Sequence, residues 1–183
     1  GPAEGPLRSA VSTLAPALPS GWAKLTVPAT LAPTGAVYAQ ALVTASGGAI
    51  EADNVAVFDT TPGSLDAPNY LENPSFELTL PDGQPRPCAA GDAPQAWQSS
   101  AISGDASRAS FSLGCQPFGQ PSGAAHGKRF ATVSIAPGST AGGVKAAWIS
   151  DRILAERSET YDVLSVAIRA SGTWTNAKAT AVL

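Results

Sequence analysis

The feature that most limits this chain is a two-residue alternation of apolar and polar side chains, arriving in short bursts between glycines and prolines. "WAKLTVPATL" sets Leu25, Val27, Ala29 and Leu31 on one side. "AVYAQALVTA" sets Val37, Ala39, Ala41 and Val43 against Tyr38, Gln40, Leu42 and Thr44. "KRFATVSI" aligns Ala131, Val133 and Ile135, and "ETYDVLSVAIRASG" aligns Leu164, Val166 and Ile168. Successive side chains of an extended strand point to opposite faces, so each burst predicts a half-buried strand. "RASFSLG", "GGVKAAWISDRI" and "NAKATAVL" read the same way, and Gly47-Gly48 before "AIEADNVAVF" predicts a hairpin. Helical spacing is weak everywhere, with "SDRILAERSE" suited to a turn or two. The 18 glycines and 16 prolines are spread along the chain in short punctuating clusters. The pattern predicts an all-β sandwich, and 183 residues suit one well-filled domain.

Charge excludes some partners. Charged residues make up 14% of the chain, the net charge is -3, and no basic stripe suits nucleic acid. No apolar run approaches the length that spans a bilayer, so membrane insertion is not expected. Methionine is absent, and Gly1-Pro2 reads as the scar of a tag-cleaving protease. The expectation is an excised piece of a longer protein.

Catalytic signatures are missing. His126 is the one histidine, and no Gly-x-Ser-x-Gly elbow or Cys-His pairing is present, which disfavours a hydrolytic triad. Glu77, Asp82, Asp92 and Asp105 supply carboxylates, but nothing marks a pair of them as flanking a cleft. The reading is that this is not an enzyme. Cys88 and Cys115 match no zinc spacing and sit in loop-like sequence rich in Pro, Gly and Ala. A disulfide between them is expected, worth roughly 3 kcal/mol on a chain-entropy argument; two free thiols packed as small hydrophobes are the alternative.

The order of the segments is unusual. "ENPSFE", then "PQAW", "HGKRFATVSI" and "ETYDVLSVAIRASG", occupy the second part of the chain; "GWAKLTVPATLAPTGAVYAQALVT" and "IEADNVAVF" occupy the first. These pieces resemble, in the opposite order, the strands of galactose-binding-like jelly rolls, the carbohydrate-binding modules of the family 4, 9 and 22 type. There the first strand commonly reads Asn-x-x-Phe-Glu before a Trp, and the last carries Asp-Asp-Val or Asp-Asn-Val. The resemblance implies a jelly roll with circularly permuted strand order, residues 3–61 completing the sheets formed by residues 70–183 across a linker at 62–69. Whether completion occurs within one chain or between neighbouring chains stays open, and strand exchange between chains would give a homo-oligomer.

The same resemblance implies a structural calcium joining first and last strands. Its ligands here would be Asp53, Glu77 and the carbonyl of Lys128; ordinary strand-end hydrogen bonding is the other reading of both carboxylates. It further implies a non-catalytic module that binds a cell-surface or cell-wall glycan, as in secreted glycosidases and tail proteins of actinobacterial phages. The setting would be extracellular or on a virion tail, including a receptor-binding part of such a tail. Trp22 and Trp97 match positions that pack in or near the core. Trp148 and Trp174 are left as candidate sugar platforms, with Tyr38, Gln40 and Arg169 on strand faces opposite the apolar ones. Each of these five also suits a core-edge or surface position. The rival function is a structural repeat or assembly spacer without a ligand. An immunoglobulin-type sandwich fits less well, because Cys88, Trp97 and Cys115 lie too close together in sequence.

Overall fold

The computed structural model describes residues 12–14, 21–27, 30–31, 38–59, 69–79, 84–85, 92–117, 119–120, 123–137, 143–154, 160–170 and 179–182. In chain order the strands of the first part are β1 (Ser12–Leu14), β2 (Ala23–Val27), β3 (Thr30–Leu31), β4 (Tyr38–Ala39), β5 (Leu42–Ala45) and β6 (Gly48–Asp59). There follow β7 (Leu78–Thr79), β8 (Gln84–Pro85), β9 (Trp97–Ser103), β10 (Ala109–Cys115) and β11 (Arg129–Ile135). The last are β12 (Lys145–Ser150), β13 (Ile153–Leu154), β14 (Thr160–Ala170) and β15 (Ala179–Val182). A single 3-10 turn at Ala106–Arg108 is the one helical element among the described residues. No helix there is long and apolar enough to cross a membrane.

Two antiparallel sheets make the body. One runs β1-β15-β5-β12-β9, the other β10-β11-β6-β14-β2, with β3 also pairing β14. Strands from before residue 60 and from after residue 96 therefore interleave in both sheets. The inward faces share one core. Val43, Ala45, Ala146, Trp148 and Trp97 come from the first sheet, and Leu25, Val27, Ile50, Val133, Leu164, Val166 and Ile168 from the second. Leu25, Val27, Val43, Val133, Leu164, Val166 and Ile168 are positions that the alternation marks, because a period of two assigns every second side chain to one face.

Two local expectations are corrected. The Ser46–Gly48 turn does not close a hairpin. Strands β5 and β6 lie in opposite sheets, so the chain crosses the sandwich there and Ala45 and Ile50 reach the core from opposite sides. The "SDRILAERSE" stretch begins as strand, with Ile153 and Leu154 paired to Ala39 and Tyr38; residues 155–159 lie outside the described set.

Strand β6 organises the middle of the molecule. Up to Ala52 it pairs with β11 on one side. Beyond that point residues 69–76 take the same side: Val55 N donates to Pro74 O (2.9 Å) and Tyr70 N to Val57 O (2.9 Å). Asn69 fastens the junction, its Oδ1 accepting from Val57 N (3.0 Å) and its Nδ2 donating to Val55 O (2.9 Å). The "DNV" and "NPSFE" segments thus lie side by side. Apart from Asn69, the 62–69 linker lies outside the described residues.

Candidate functional site

Local irregularity in β6 creates the first component. Ile50 and Ala52 face the core, and so do Val55 and Val57, a change of parity that needs one extra residue. The register against β14 shows where: Ala167 pairs with Asp53 but Ser165 with Ala56, and Asn54 sits at φ 48°. This is a β-bulge, with asparagine among the residues that best tolerate a left-handed backbone. Asp53 is left on the face away from the core, yet it is fully buried. Its Oδ1 accepts from Asn54 N (2.6 Å) and its Oδ2 from His126 N (2.7 Å).

The second component is built by Asn73, at φ 50°. Its Nδ2 donates to Leu78 O (2.7 Å) and Gln95 O (2.9 Å), and its Oδ1 accepts from Leu78 N (2.8 Å). The tight turn this enforces drives Phe76 into the core against Trp97, with ring centroids 4.9 Å apart. Glu77 then points the other way, and its Oε1 accepts from Lys128 N (2.6 Å) and Arg129 N (2.8 Å). Gly127, at φ 69°, allows that approach, since a Cβ there would stand 2.2 Å from Glu77 Oε1. Arg129 closes the assembly. It is buried, donates from Nη1 to Glu77 O (2.9 Å), and pairs through Nη2 with Asp92 (2.8 Å).

Asp53, Glu77 and Lys128 are thus brought to one loop. Burial is the main force pushing the Asp53 carboxyl up to about 7; the charge of Glu77 adds to it, while the N–H groups of His126 and Asn54 oppose it. The arrangement suits a hard divalent cation. The side-chain donors are carboxylate oxygens: each Asp53 oxygen keeps a lone pair beyond its one hydrogen bond, Glu77 Oε1 is taken by two N–H groups, and no hydrogen bond or ion pair reaches Glu77 Oε2 among the described residues. No group of three or more His, Cys, Asp or Glu side chains stands ready for a metal among the described residues. Backbone carbonyls and water would therefore complete the shell of a calcium ion, which accepts such ligands.

The candidate sugar residues divide between sheets. Tyr38 and Gln40 are half-buried where β4 pairs β13; Gln40 Nε2 donates to Ser150 O (2.9 Å), and the Arg152 guanidinium lies 4.2 Å from the Tyr38 ring centroid. Trp148 is buried in the core, edge-on to Phe111 at 5.5 Å, with its indole N–H donating to Thr132 O (3.2 Å). Arg169 is on the outer face of the other sheet. It bonds the Glu51 carboxylate beside it and Gly123 O (3.0 Å), and it stacks over Trp22 at 4.2 Å and Phe130 at 5.1 Å. Trp174 lies outside the described residues.

Several partners escape sequence reading. Nothing in "RASGT" marks Arg169 as buried; the clue is distributed over Trp22, Glu51 and Phe130, which meet only in the fold. Gly114 shares in this, since a Cβ there would fall 2.1 Å from the Phe130 ring. Cys115 is disulfide-bonded, and the sequence holds one other cysteine, Cys88, which lies outside the described residues. No family profile, curated protein or solved structure matches this chain.

Proposed function

We propose that this protein is a non-catalytic jelly-roll module, circularly permuted in strand order, that binds a cell-surface or cell-wall glycan in an extracellular or virion-tail setting. The observation that carries the reading is the corner where β4 meets β13. Tyr38, half-exposed, shares that corner with the Gln40 amide and with exposed Asp151 and Arg152. Sugar recognition asks for this chemistry, an aromatic ring with several hydrogen-bonding groups converging beside it. A glycan array and a cell-wall pull-down test it, with Tyr38→Ala as the comparison. Binding that weakens at least tenfold in Tyr38→Ala supports the corner. Absence of binding to any surface polysaccharide at a dissociation constant of about 1 mM overturns the reading.

The second part of the proposal is a structural calcium held by Asp53 and Glu77 with the Lys128 carbonyl. Support comes from the buried Asp53 carboxylate and the Glu77 carboxylate, which accept from backbone N–H groups two residues apart in one loop. Bound there, the ion would supply the positive charge that opposes the effect of burial on the Asp53 carboxyl. Isothermal titration of calcium into chelator-treated protein is the test. Heat that saturates near one equivalent, and is lost in Glu77→Gln, supports the site; no heat in the parent chain removes it.

A further inference from the structure

Strand β9 closes one end of its sheet, pairing with β12 on one side, and β10 closes the same end of the other sheet, pairing with β11. The two edges lie on one flank. A short link carrying the Ala106–Arg108 turn joins them, and Trp148 of β12, beside β9, packs on Phe111 of β10. Natural sheets blunt such edges with charges or prolines. Here the run from Trp97 to Cys115 carries two charges, Asp105 and Arg108, and both are in the link. Asp105 caps the turn by accepting from Ser107 N, and Arg108 donates to Ala136 O. Neither lies on β9 or β10.

The β9 edge is open to solvent. Gln98 and Ser99 point to opposite faces, and both are exposed. Among the described residues the exposed large hydrophobic is Ile102, 47% accessible, and it belongs to this strand. It sits at the register shift between Ser103 and Ala101, outside the ladder with β12, while Trp97–Ala101 stays regular.

We propose that this flank is a self-association surface, at which β9 pairs antiparallel with β9 of a second copy of this chain. The occupant follows from the chemistry of the strand. "WQSSAIS" has no charge, so two copies related by a twofold axis bring no like charges together despite the net charge of -3 on each chain. The N–H and C=O groups on the side of β9 away from β12, which meet no further strand among the described residues, supply the hydrogen bonds, and Ile102 is covered in the process. This surface is separate from the corner proposed for glycan.

Sedimentation equilibrium of the full chain, of Ser99→Lys and of Thr26→Lys tests the proposal; Thr26 is an exposed residue of the β2 edge on the opposite flank. The expected result is a dimer for the parent chain and for Thr26→Lys, with the dissociation constant of Ser99→Lys raised about tenfold or more. Gln98→Lys, also at an exposed position, is the second variant, and near-UV circular dichroism checks that each keeps its core. Amide exchange at Gln98–Ala101 slows in the dimer relative to Ser99→Lys. A parent chain that stays monomeric at its solubility limit overturns the proposal, as does a dimer that Thr26→Lys dissociates while Ser99→Lys and Gln98→Lys do not.

Discussion

Asp53 and Glu77 hold one loop from two sides: His126 N donates to the first carboxylate, and Lys128 N and Arg129 N donate to the second. None of the three bonds is a local one. Together they join the bulged centre of β6, the turn after Pro74 and the start of β11, so the loop cannot be displaced without opening both carboxylates.

The buried acid gives this clamp a pH dependence. In the folded protein Asp53 is raised from 3.8 to about 7, so the folded state keeps its proton where the unfolded chain has lost it. Stability in chelator therefore falls as pH rises from about 4 to about 7 and levels off above, by roughly 3–4 kcal/mol from this group. Asp53→Asn does not titrate. Its stability relative to the parent is expected to improve across the same window, read by urea unfolding at each pH, and a constant difference would contradict this account.

Gly127→Ala attacks the loop from its backbone. A Cβ would both meet Glu77 Oε1 and strain a residue at φ 69°. The expected loss is about 1–3 kcal/mol in denaturant unfolding, accompanied by faster exchange of the Lys128 and Arg129 amides. Unchanged exchange there would mean that Glu77 does not hold the loop in solution.

Asn73→Ala removes three hydrogen bonds at once: Leu78 N and Gln95 O lose this side-chain partner, and Leu78 O keeps only the bond from Gln95 N. Alanine also tolerates φ 50° less well than asparagine. We expect about 2–4 kcal/mol of destabilisation. Trp97 reports it, because its indole N–H donates to Asn73 O (3.0 Å), and its fluorescence should shift to the red.

Arg169→Met tests the outer cluster. The substitution keeps apolar bulk between Trp22 and Phe130 but strands the Glu51 carboxylate and one bond to Gly123 O. Breaking a largely buried pair by removing one partner costs about 3 kcal/mol. The double variant Arg169→Met with Glu51→Gln should recover part of that loss in thermal unfolding, and no recovery would show that packing, not charge, is what arginine supplies.

Much of the core was legible because a strand's period is simple: Leu25 and Val27, Ala131, Val133 and Ile135, and Leu164, Val166 and Ile168 are buried where alternation puts them. The adjacency of the "DNV" and "NPSFE" segments was implied by the resemblance, and the bond from Val55 N to Pro74 O places them side by side. The sheet assignment of β5 and β6 was not, since a Gly-Gly turn serves a crossing between sheets as well as a hairpin. Nor was Trp148, whose strand "KAAWIS" buries Ala146, Ala147 and Trp148 in succession and so carries no alternation to read. The bulge at Asp53 was hidden for a related reason: "EADNVAVF" keeps an apolar look in either register. Arg129 and Arg169 show the limit most plainly, because a buried guanidinium depends on partners that the chain supplies from elsewhere.

One carbonyl carries a consequence for how the molecule assembles. Gly123 O accepts from Trp22 Nε1 (2.8 Å) and from Arg169 Nη1 (3.0 Å), so three distant stretches of chain must arrive before its bonds are made. Contacts that close loops this long carry the full entropy of closure before any return, which places them late on the folding path and slows it. Trp22 should accordingly reach its native emission in the last kinetic phase, after Trp97 and Trp148 are already shielded.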